Sequence, residues 1–187
     1  LDSASKYKTK VFLSVTSFGK EENHRFLNNE FTQQVFIDSL FDLLRFRQGE
    51  GLGFDGVDLN FEQMSALDAY EFTHFVKKLN TKLKQGRKKY LLILDVSYFN
   101  DKQMFDYKKL SYYVDYFNIM GYDFNGRNST VPGSVAPLRS LGNAPSIETA
   151  VNDFFNLGIM GDRLILSLPL YGVTWDVTHA SLGKEPV

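Results

Sequence analysis

The segment GFDGVDLNFE, residues 53–62, places three carboxylates and an amide close together: Asp55, Asp58, Asn60 and Glu62. Side chains alternate between the two faces of a strand, so Asp58, Asn60 and Glu62 are predicted to share one face, opposite the apolar residues between them. Neighbouring groups in this row would be about 6.6 Å apart, twice the rise per residue. Carboxylates held close together in a dry enclosure repel each other, which raises the pKa of one and keeps it protonated near neutral pH. A protonated carboxyl is the form that a general acid requires.

The same alternation is also typical of a partly exposed edge strand that carries out no chemistry. This alternative fits poorly with the neighbouring apolar segments, because LLILDV (91–96) and RLILSL (163–168) are typical of strands buried on both faces. We therefore favour a functional interpretation of the polar row. Asp95 and Ser97 continue one face of the 91–96 segment, and either a place at the same site or a structural role fits them.

The elements that must position this row follow from the hydrophobic periodicity. Apolar segments of strand length alternate with segments of helical period, which predicts an α/β fold with parallel strands and helical crossovers. The predicted strands are 11–18, 54–62, 90–99, 114–124 and 163–175, and the predicted helices are 29–46, 65–85, 101–110 and 146–157. Periodicity alone leaves open whether the sheet is an open flavodoxin-like sheet or a closed barrel.

Composition excludes several classes of function. The chain has 187 residues, of which 43% are hydrophobic, so one substantial core is expected. A net charge of −1 provides no field for attracting nucleic acid or an anionic membrane. The absence of cysteine excludes disulfides and thiolate metal sites, and the three histidines lie in unrelated segments. We therefore predict no metal, no cofactor, no nucleic-acid partner and no membrane partner.

The polar row also resembles a known signature. FDGVDLNFE is similar to the Asp-x-x-Asp-x-Asp-x-Glu pattern of glycoside hydrolase family 18, which includes chitinases and endo-β-N-acetylglucosaminidases. Asp55, Asp58 and Glu62 match that pattern, and Asn60 stands where the family has its third Asp. Four further segments agree with the family in order and spacing, namely LSVTSFG (13–19), MGYD (120–123), GSVAPL (133–138) and LPLYGVTW (168–175).

The resemblance implies a (β/α)8 TIM barrel, present here as a partial barrel of about five β/α units. The segments correspond to barrel strands three to seven, so residues 1–187 are expected to form a single partial catalytic domain whose N- and C-terminal barrel strands are missing. Complete barrels of this kind take about 250 residues. A barrel interrupted in this way would leave unpaired apolar edges, and we expect these edges to associate with a partner or another segment.

The resemblance also implies a retaining, substrate-assisted hydrolysis of β-1,4 bonds in glycans that contain N-acetylglucosamine, such as chitin. Glu62 would protonate the leaving oxygen, and Tyr122 would orient the substrate acetamide. Asp58 would support the acetamide-orienting group, and Asp123 would contact the sugar. Asn60 would still accept the acetamide N–H but would lack the negative charge of the usual Asp, so we expect weakened catalysis.

Other positions are assigned through the same resemblance. Ser14, Met120 and Tyr171 would contribute to substrate binding, and period two places Met120 on the same strand face as Tyr122. Asp55 and Gly56 would belong to the structural part of the signature.

Two classes of function remain open for the chain. It is either a slow or specialised glycosidase, as the retained Glu62 favours, or a carbohydrate-binding protein similar to the chitinase-like lectins. The lectin is favoured by Asn60, by Thr16 and Ser17 in place of the family's glycine pair, and by Val173 in place of an arginine. An Asn60 introduced by experiment to trap substrate is a third possibility. The family resemblance implies a secreted, periplasmic or extracellular location.

Overall fold

The structure is a computed structural model that describes residues 2–46, 53–98 and 104–176. The helices in these ranges are α1 (Asp2–Lys6), α2 (Lys20–Leu27), α3 (Glu30–Arg45), α4 (Ala69–Leu83), α5 (Tyr107–Leu110) and α6 (Ile147–Asn156). The strands are β1 (Phe12–Ser17), β2 (Gly56–Phe61), β3 (Leu91–Ser97), β4 (Tyr116–Met120) and β5 (Leu164–Ser167). Short 3₁₀ turns at Ala66–Asp68 and Gly161–Arg163 precede α4 and β5.

Within the described ranges, the strands form a five-stranded sheet in chain order, β1-β2-β3-β4-β5. β1 pairs with β2 and β2 with β3, both in parallel. The register sets Ser14 beside Asp58 and Thr16 beside Asn60. The predicted α/β class with parallel strands and intervening helices is therefore confirmed.

The described residues fall into two compact units, which are 2–46, 53–95 and 104–117 in the first, and 96–98 and 118–176 in the second. In the first unit, an aromatic cluster covers one face of β2. The ring of Phe61 lies 5.5 Å from that of Phe72 and 6.1 Å from that of Phe26, and Phe26 meets Phe75 edge to face at 5.1 Å. Each such pair contributes about 0.5–1.5 kcal/mol beyond the burial of its area. Because the apolar face of β2 packs against this cluster, its polar face points away from the cluster.

Gly56 begins β2 at a point where no side chain fits. A Cβ built there would lie 2.2 Å from the carbonyl oxygen of Leu91 on β3 and 2.8 Å from the ring of Phe12 on β1. The strands on both sides therefore require glycine at this position.

The second unit contains β5, α6 and the long irregular segment 125–145. α6 begins with a capping box, in which the Thr149 N–H donates to Ser146 Oγ (3.2 Å) and the Ser146 N–H donates to Thr149 Oγ1 (2.8 Å). Gly121 follows β4 where a Cβ would lie 2.8 Å from the carbonyl oxygen of Ser167. Residues 125–145, between β4 and α6, contain turns and bends but no helix or strand.

Several elements differ from the sequence predictions. The strand expected at 163–175 ends at Ser167, and its residues Ile165 and Leu166 are 38% and 40% exposed, so RLILSL is not buried on both faces. The helix α2 was not predicted because Phe26 and Leu27 are its only apolar residues, too few to mark an apolar face in the sequence. The helix expected at 101–110 is limited to Tyr107–Leu110 in the described part, since residues 101–103 lie outside it.

None of the described helices combines the length and the apolar character that crossing a bilayer needs.

Candidate active site

The polar row on β2 has the predicted alternation. Val57 and Leu59 are fully buried and Phe61 is 5% exposed, whereas Asp58 and Asn60 on the opposite face are half-buried. The two faces differ because the apolar one packs against helices in the first unit, while the polar one does not. β2 therefore presents Asp58 and Asn60 side by side.

Asp58 lies at the centre of a small polar group formed by three neighbouring strands. Its carboxylate is hydrogen bonded to Ser14 on β1 and to Asp95 on β3. Burial raises the pKa of Asp58 above its ordinary value, and the hydrogen bonds from Asp95 and Ser14 oppose that change only in part. Asp58 Oδ1 is buried and has no hydrogen-bond partner among the described residues. A carboxyl with a raised pKa is the outcome expected for this row, but its cause is burial rather than repulsion between carboxylates.

Asn60 is the next side chain along the same face. It pairs in register with Thr16 of β1, and its Oδ1 is buried without a hydrogen-bond partner in the described part of the chain. An unpaired buried acceptor costs free energy, about 1–3 kcal/mol where nothing compensates it. Asn60 therefore offers an acceptor that a ligand N–H group would satisfy.

Glu62 follows the last residue of β2 and is half-buried. Its main-chain N–H donates to the carbonyl oxygen of Ser17 (2.9 Å), and its own carbonyl accepts from Asn23 Nδ2 (2.7 Å). The next residue, Gln63, has φ +54°, a left-handed conformation that is uncommon for a residue other than glycine. The chain therefore turns away from the strand direction directly after Glu62.

Asp55 lies at the other end of β2 and is separate from the polar row. Asp55 Oδ2 accepts from the Val11 N–H (2.9 Å), and Oδ1 lies 3.4 Å from Lys88 Nζ. The first contact joins the start of β2 to the start of β1, and the second joins it to the segment before β3. Asp55 and the neighbouring Gly56 therefore make contacts within the sheet, at the end of β2 opposite to Glu62.

In the second unit, Asp123 joins two tyrosines. Tyr171 Oη donates to Asp123 Oδ1, and this bond raises the pKa of Tyr171 to about 12. Tyr98 Oη donates to the Asp123 carbonyl oxygen (3.4 Å), and its ring stacks on that of Phe124 at 3.7 Å between centroids. Burial, and secondarily the charge of Asp123, raises the pKa of Tyr98. Asp123 itself has φ +57°, so its main chain is held in a strained conformation.

Met120 ends β4, and Tyr122 lies two residues beyond it. Both are half-buried, as is Asn118, whereas Ile119, which lies between Asn118 and Met120, is fully buried. Asn118 Oδ1 accepts from Ser167 Oγ on β5 (2.8 Å). The face that Met120 and Tyr122 were predicted to share therefore also carries a polar pair from the two strands.

The structure thus brings the predicted residues together in two groups, each within one unit. Ser14, Asp58 and Asp95 form the first, and Asp123 forms the second with Tyr171. Sequence reasoning missed Tyr98, Asn118, Ser167 and Asn23. The alternation in β4 could have indicated Asn118, but no local pattern marks the others.

Trp175 and His24 lie outside these two groups and have contacts of their own. Trp175 Nε1 donates to the Gly133 carbonyl oxygen (3.2 Å), so this side chain is held by the irregular segment. His24 is bonded to Asp68 rather than placed beside other ligands. Among residues 2–46, 53–98 and 104–176, no group of three or more His, Asp or Glu side chains could hold a metal ion.

The sequence and the structure were compared with known proteins. The family model described as Glycosyl hydrolases family 18 matches residues 1–185. Chitinase A1 of Niallia circulans is 29% identical over 173 residues, covering 78% of this chain and 24% of that protein. The chain spans between 24% and 46% of the length of this and seven other curated relatives.

Two solved structures show the likeness of the fold. Catalytic domain 2 of the Ostrinia furnacalis Group II chitinase has a TM-score of 0.84 and 24% identity, covering 99% of this chain and 52% of that one. Human YKL-39, described as a pseudo-chitinase with retained chitooligosaccharide binding, has a TM-score of 0.81 and 22% identity, covering 99% and 55%. The prediction of a partial (β/α)8 barrel is therefore confirmed.

Proposed function

Since the chain belongs to glycosyl hydrolases family 18, we propose that it hydrolyses β-1,4 bonds in glycans that contain N-acetylglucosamine, such as chitin. The observation that carries this proposal is the position of Glu62, directly after a strand that presents Asp58 and Asn60 on its polar face. Catalytic groups of parallel barrels lie at the carboxyl ends of strands, and Glu62 has that position.

The proposed reaction retains configuration and uses the substrate's own acetamide as nucleophile. The acetamide oxygen bonds to the anomeric carbon while the glycosidic bond breaks, and Glu62 transfers its proton to the departing oxygen. The Glu62 carboxylate then takes a proton from water, whose oxygen attacks the same carbon and opens the oxazolinium ring. Tyr122 would hydrogen bond to the acetamide carbonyl and aim it during the first step.

Asp58 is proposed to act behind the acetamide-orienting group. Its raised pKa supports this role, because burial favours the neutral carboxyl, which can donate a hydrogen bond as well as accept one. Asp95 and Ser14 hold the carboxyl in place through their hydrogen bonds. Asp123, Met120 and Tyr171 would contact the sugar.

Asn60 supports a second candidate function, which is sugar binding without cleavage. Its Oδ1, which has no partner among the described residues, would accept the acetamide N–H, but the neutral amide does not stabilise the positive oxazolinium. Losing such a preorganised contact lowers the rate by roughly 10²- to 10³-fold. A protein of this kind would hold chitooligosaccharides, as YKL-39 is described to do.

The partner in both cases is an N-acetylglucosamine oligosaccharide or polysaccharide, and an extracellular location belongs to the same proposal. The full-length protein would be incubated with N-acetylglucosamine oligomers and the products followed by mass spectrometry, with Glu62→Gln as control. Cleavage that the control lacks supports the hydrolase. Binding of the oligomers with no cleavage by either protein supports the second candidate.

A further inference from the structure

Helix α2 (Lys20–Leu27) contacts both ends of the segment 62–68, which follows β2. At Glu62, the carbonyl oxygen accepts from Asn23 Nδ2 (2.7 Å). At Asp68, Oδ1 lies 2.7 Å from His24 Nδ1 and accepts from Asn28 Nδ2 (3.1 Å), and Asn28 directly follows the helix. One short helix thus spans the stretch between Glu62 and α4.

Both buried members of these contacts are polar. Asn23 is 0% exposed and Asp68 is 1% exposed. A fully buried amide in an otherwise polar helix is unfavourable unless its hydrogen bonds are made. Asn23 makes the bond to Glu62, while its Oδ1 has no partner among the described residues. An apolar residue would fill this position without such an unpaired atom, so packing alone does not explain the asparagine.

The contact with Glu62 does explain it. The Glu62 main chain is held on both sides, by the Ser17 carbonyl at its N–H and by Asn23 at its carbonyl, just before Gln63 adopts its left-handed conformation. Without the Asn23 donor, the peptide between Glu62 and Gln63 loses the bond that opposes relaxation of this turn. Where the turn relaxes by a shift of the Glu62 Cα, the side chain moves with it.

We infer that Asn23 is a positioning residue for Glu62, acting through the main chain rather than touching the substrate. This inference rests on the proposed role of Glu62 as the acid. A catalytic group displaced by about 1 Å lowers the rate by roughly 10²-fold, whereas substrate binding elsewhere in the cleft is unchanged. The expected signature is therefore a reduced kcat with an unchanged KM.

The test uses the full-length protein with Asn23→Ala and Asn23→Leu. Alanine removes the donor and leaves space, whereas leucine removes the donor and keeps the number and branching of the side-chain heavy atoms. Asn80→Ala is the matched control, because Asn80 of the first unit also has a buried Oδ1 without a partner among the described residues. It lies on α4 and makes no described contact with Glu62. Melting temperatures show that each variant is folded.

We expect both Asn23 variants to lose roughly 10- to 100-fold in kcat at unchanged KM, with Asn80→Ala close to the wild type. Equal effects of Asn23→Ala and Asn80→Ala, or a rise in KM without a fall in kcat, would overturn the inference.

A second readout separates this inference from the proposed reaction. The ¹³C resonance of the Glu62 carbonyl reports its hydrogen bond whether or not the protein cleaves glycans. We expect that resonance to move in both Asn23 variants and to stay in place in Asn80→Ala. A wild-type protein that does not cleave refutes the hydrolase but not the contact between Asn23 and Glu62. A resonance that moves in the Asn23 variants supports that contact, and one that does not move overturns the inference.

Discussion

The substitution Asn60→Asp tests the chemistry of the polar row most directly. It restores a carboxylate at a position of β2 where Oδ1 is buried and has no partner in the described structure. If the protein is a hydrolase, the new negative charge stabilises the developing oxazolinium, and kcat is expected to rise by about 10²- to 10³-fold.

The same substitution has an electrostatic effect on stability. Asp58 and residue 60 are about 6.6 Å apart on one strand face. Two unit charges at that distance repel by about 2.5 kcal/mol at an effective dielectric constant of about 20. Both side chains are half-buried, so solvent screening reduces this to about 1 kcal/mol.

The sign of the pH dependence follows from this repulsion. A second carboxylate raises the pKa of the pair in the folded state beyond the increase that burial already causes for Asp58. Between the ordinary carboxyl pKa and the raised folded pKa, the folded protein holds protons that the unfolded chain has released. The destabilisation is therefore absent below the ordinary pKa and grows as pH rises towards the raised folded pKa. We therefore expect Asn60→Asp to melt at a lower temperature than the wild type at pH 8 and at nearly the same temperature at pH 4.

The assay combines initial rates on N-acetylglucosamine oligomers with thermal unfolding at both pH values. Asn60→Gln is the matched control, because it changes the side chain without adding charge. Stability that falls equally at both pH values would refute the electrostatic reasoning. A folded Asn60→Asp that binds oligomers and still does not cleave them would refute the hydrolase and favour the sugar-binding candidate.

Three further predictions concern single side chains. Asp58→Asn is expected to gain stability relative to the wild type as pH rises from 4 to 8, because it removes a carboxyl whose folded pKa is raised by burial. Denaturant unfolding measures the difference in stability, and a difference that is constant with pH would contradict this prediction. Gly56→Ala is expected to destabilise the protein by about 3 kcal/mol because the new Cβ overlaps main-chain atoms. Gly126→Ala is the control and is expected to be nearly neutral, since no atom of the described residues lies within 4 Å of the new Cβ. Asp123→Asn is expected to lower the pKa of Tyr171 from about 12 towards the ordinary value of about 10, as followed by NMR of the tyrosine Cζ; an unchanged pKa would show that Asp123 is not its cause.

The sequence alone was sufficient for the class of fold and for the two faces of β2. Strict alternation between Val57 and Phe61 required one buried and one polar face, whatever the fold around the strand. Helices with a strong apolar period, such as α3 and α4, were predicted close to their observed bounds for the same reason.

The last predicted strand shows where that reasoning stops. Residues 163–175 are apolar enough for a long strand, yet pairing continues only to Ser167, and Leu168 and Leu170 are 59% and 104% exposed. Strand length depends on hydrogen-bond partners in the neighbouring strand, and local composition does not contain that information.

The chemical surroundings of the candidate site depend on contacts between residues that are far apart in the chain. The signature in residues 55–62 identified Asp58 and Glu62, but the raised pKa of Asp58 arises from burial and from its neighbours on β1 and β3. Likewise, Asn23 reaches Glu62 across 39 positions from a helix that has only two apolar residues. Residue types and local spacing determine which groups are available for chemistry, whereas solvation and hydrogen-bond partners exist only once distant segments pack together.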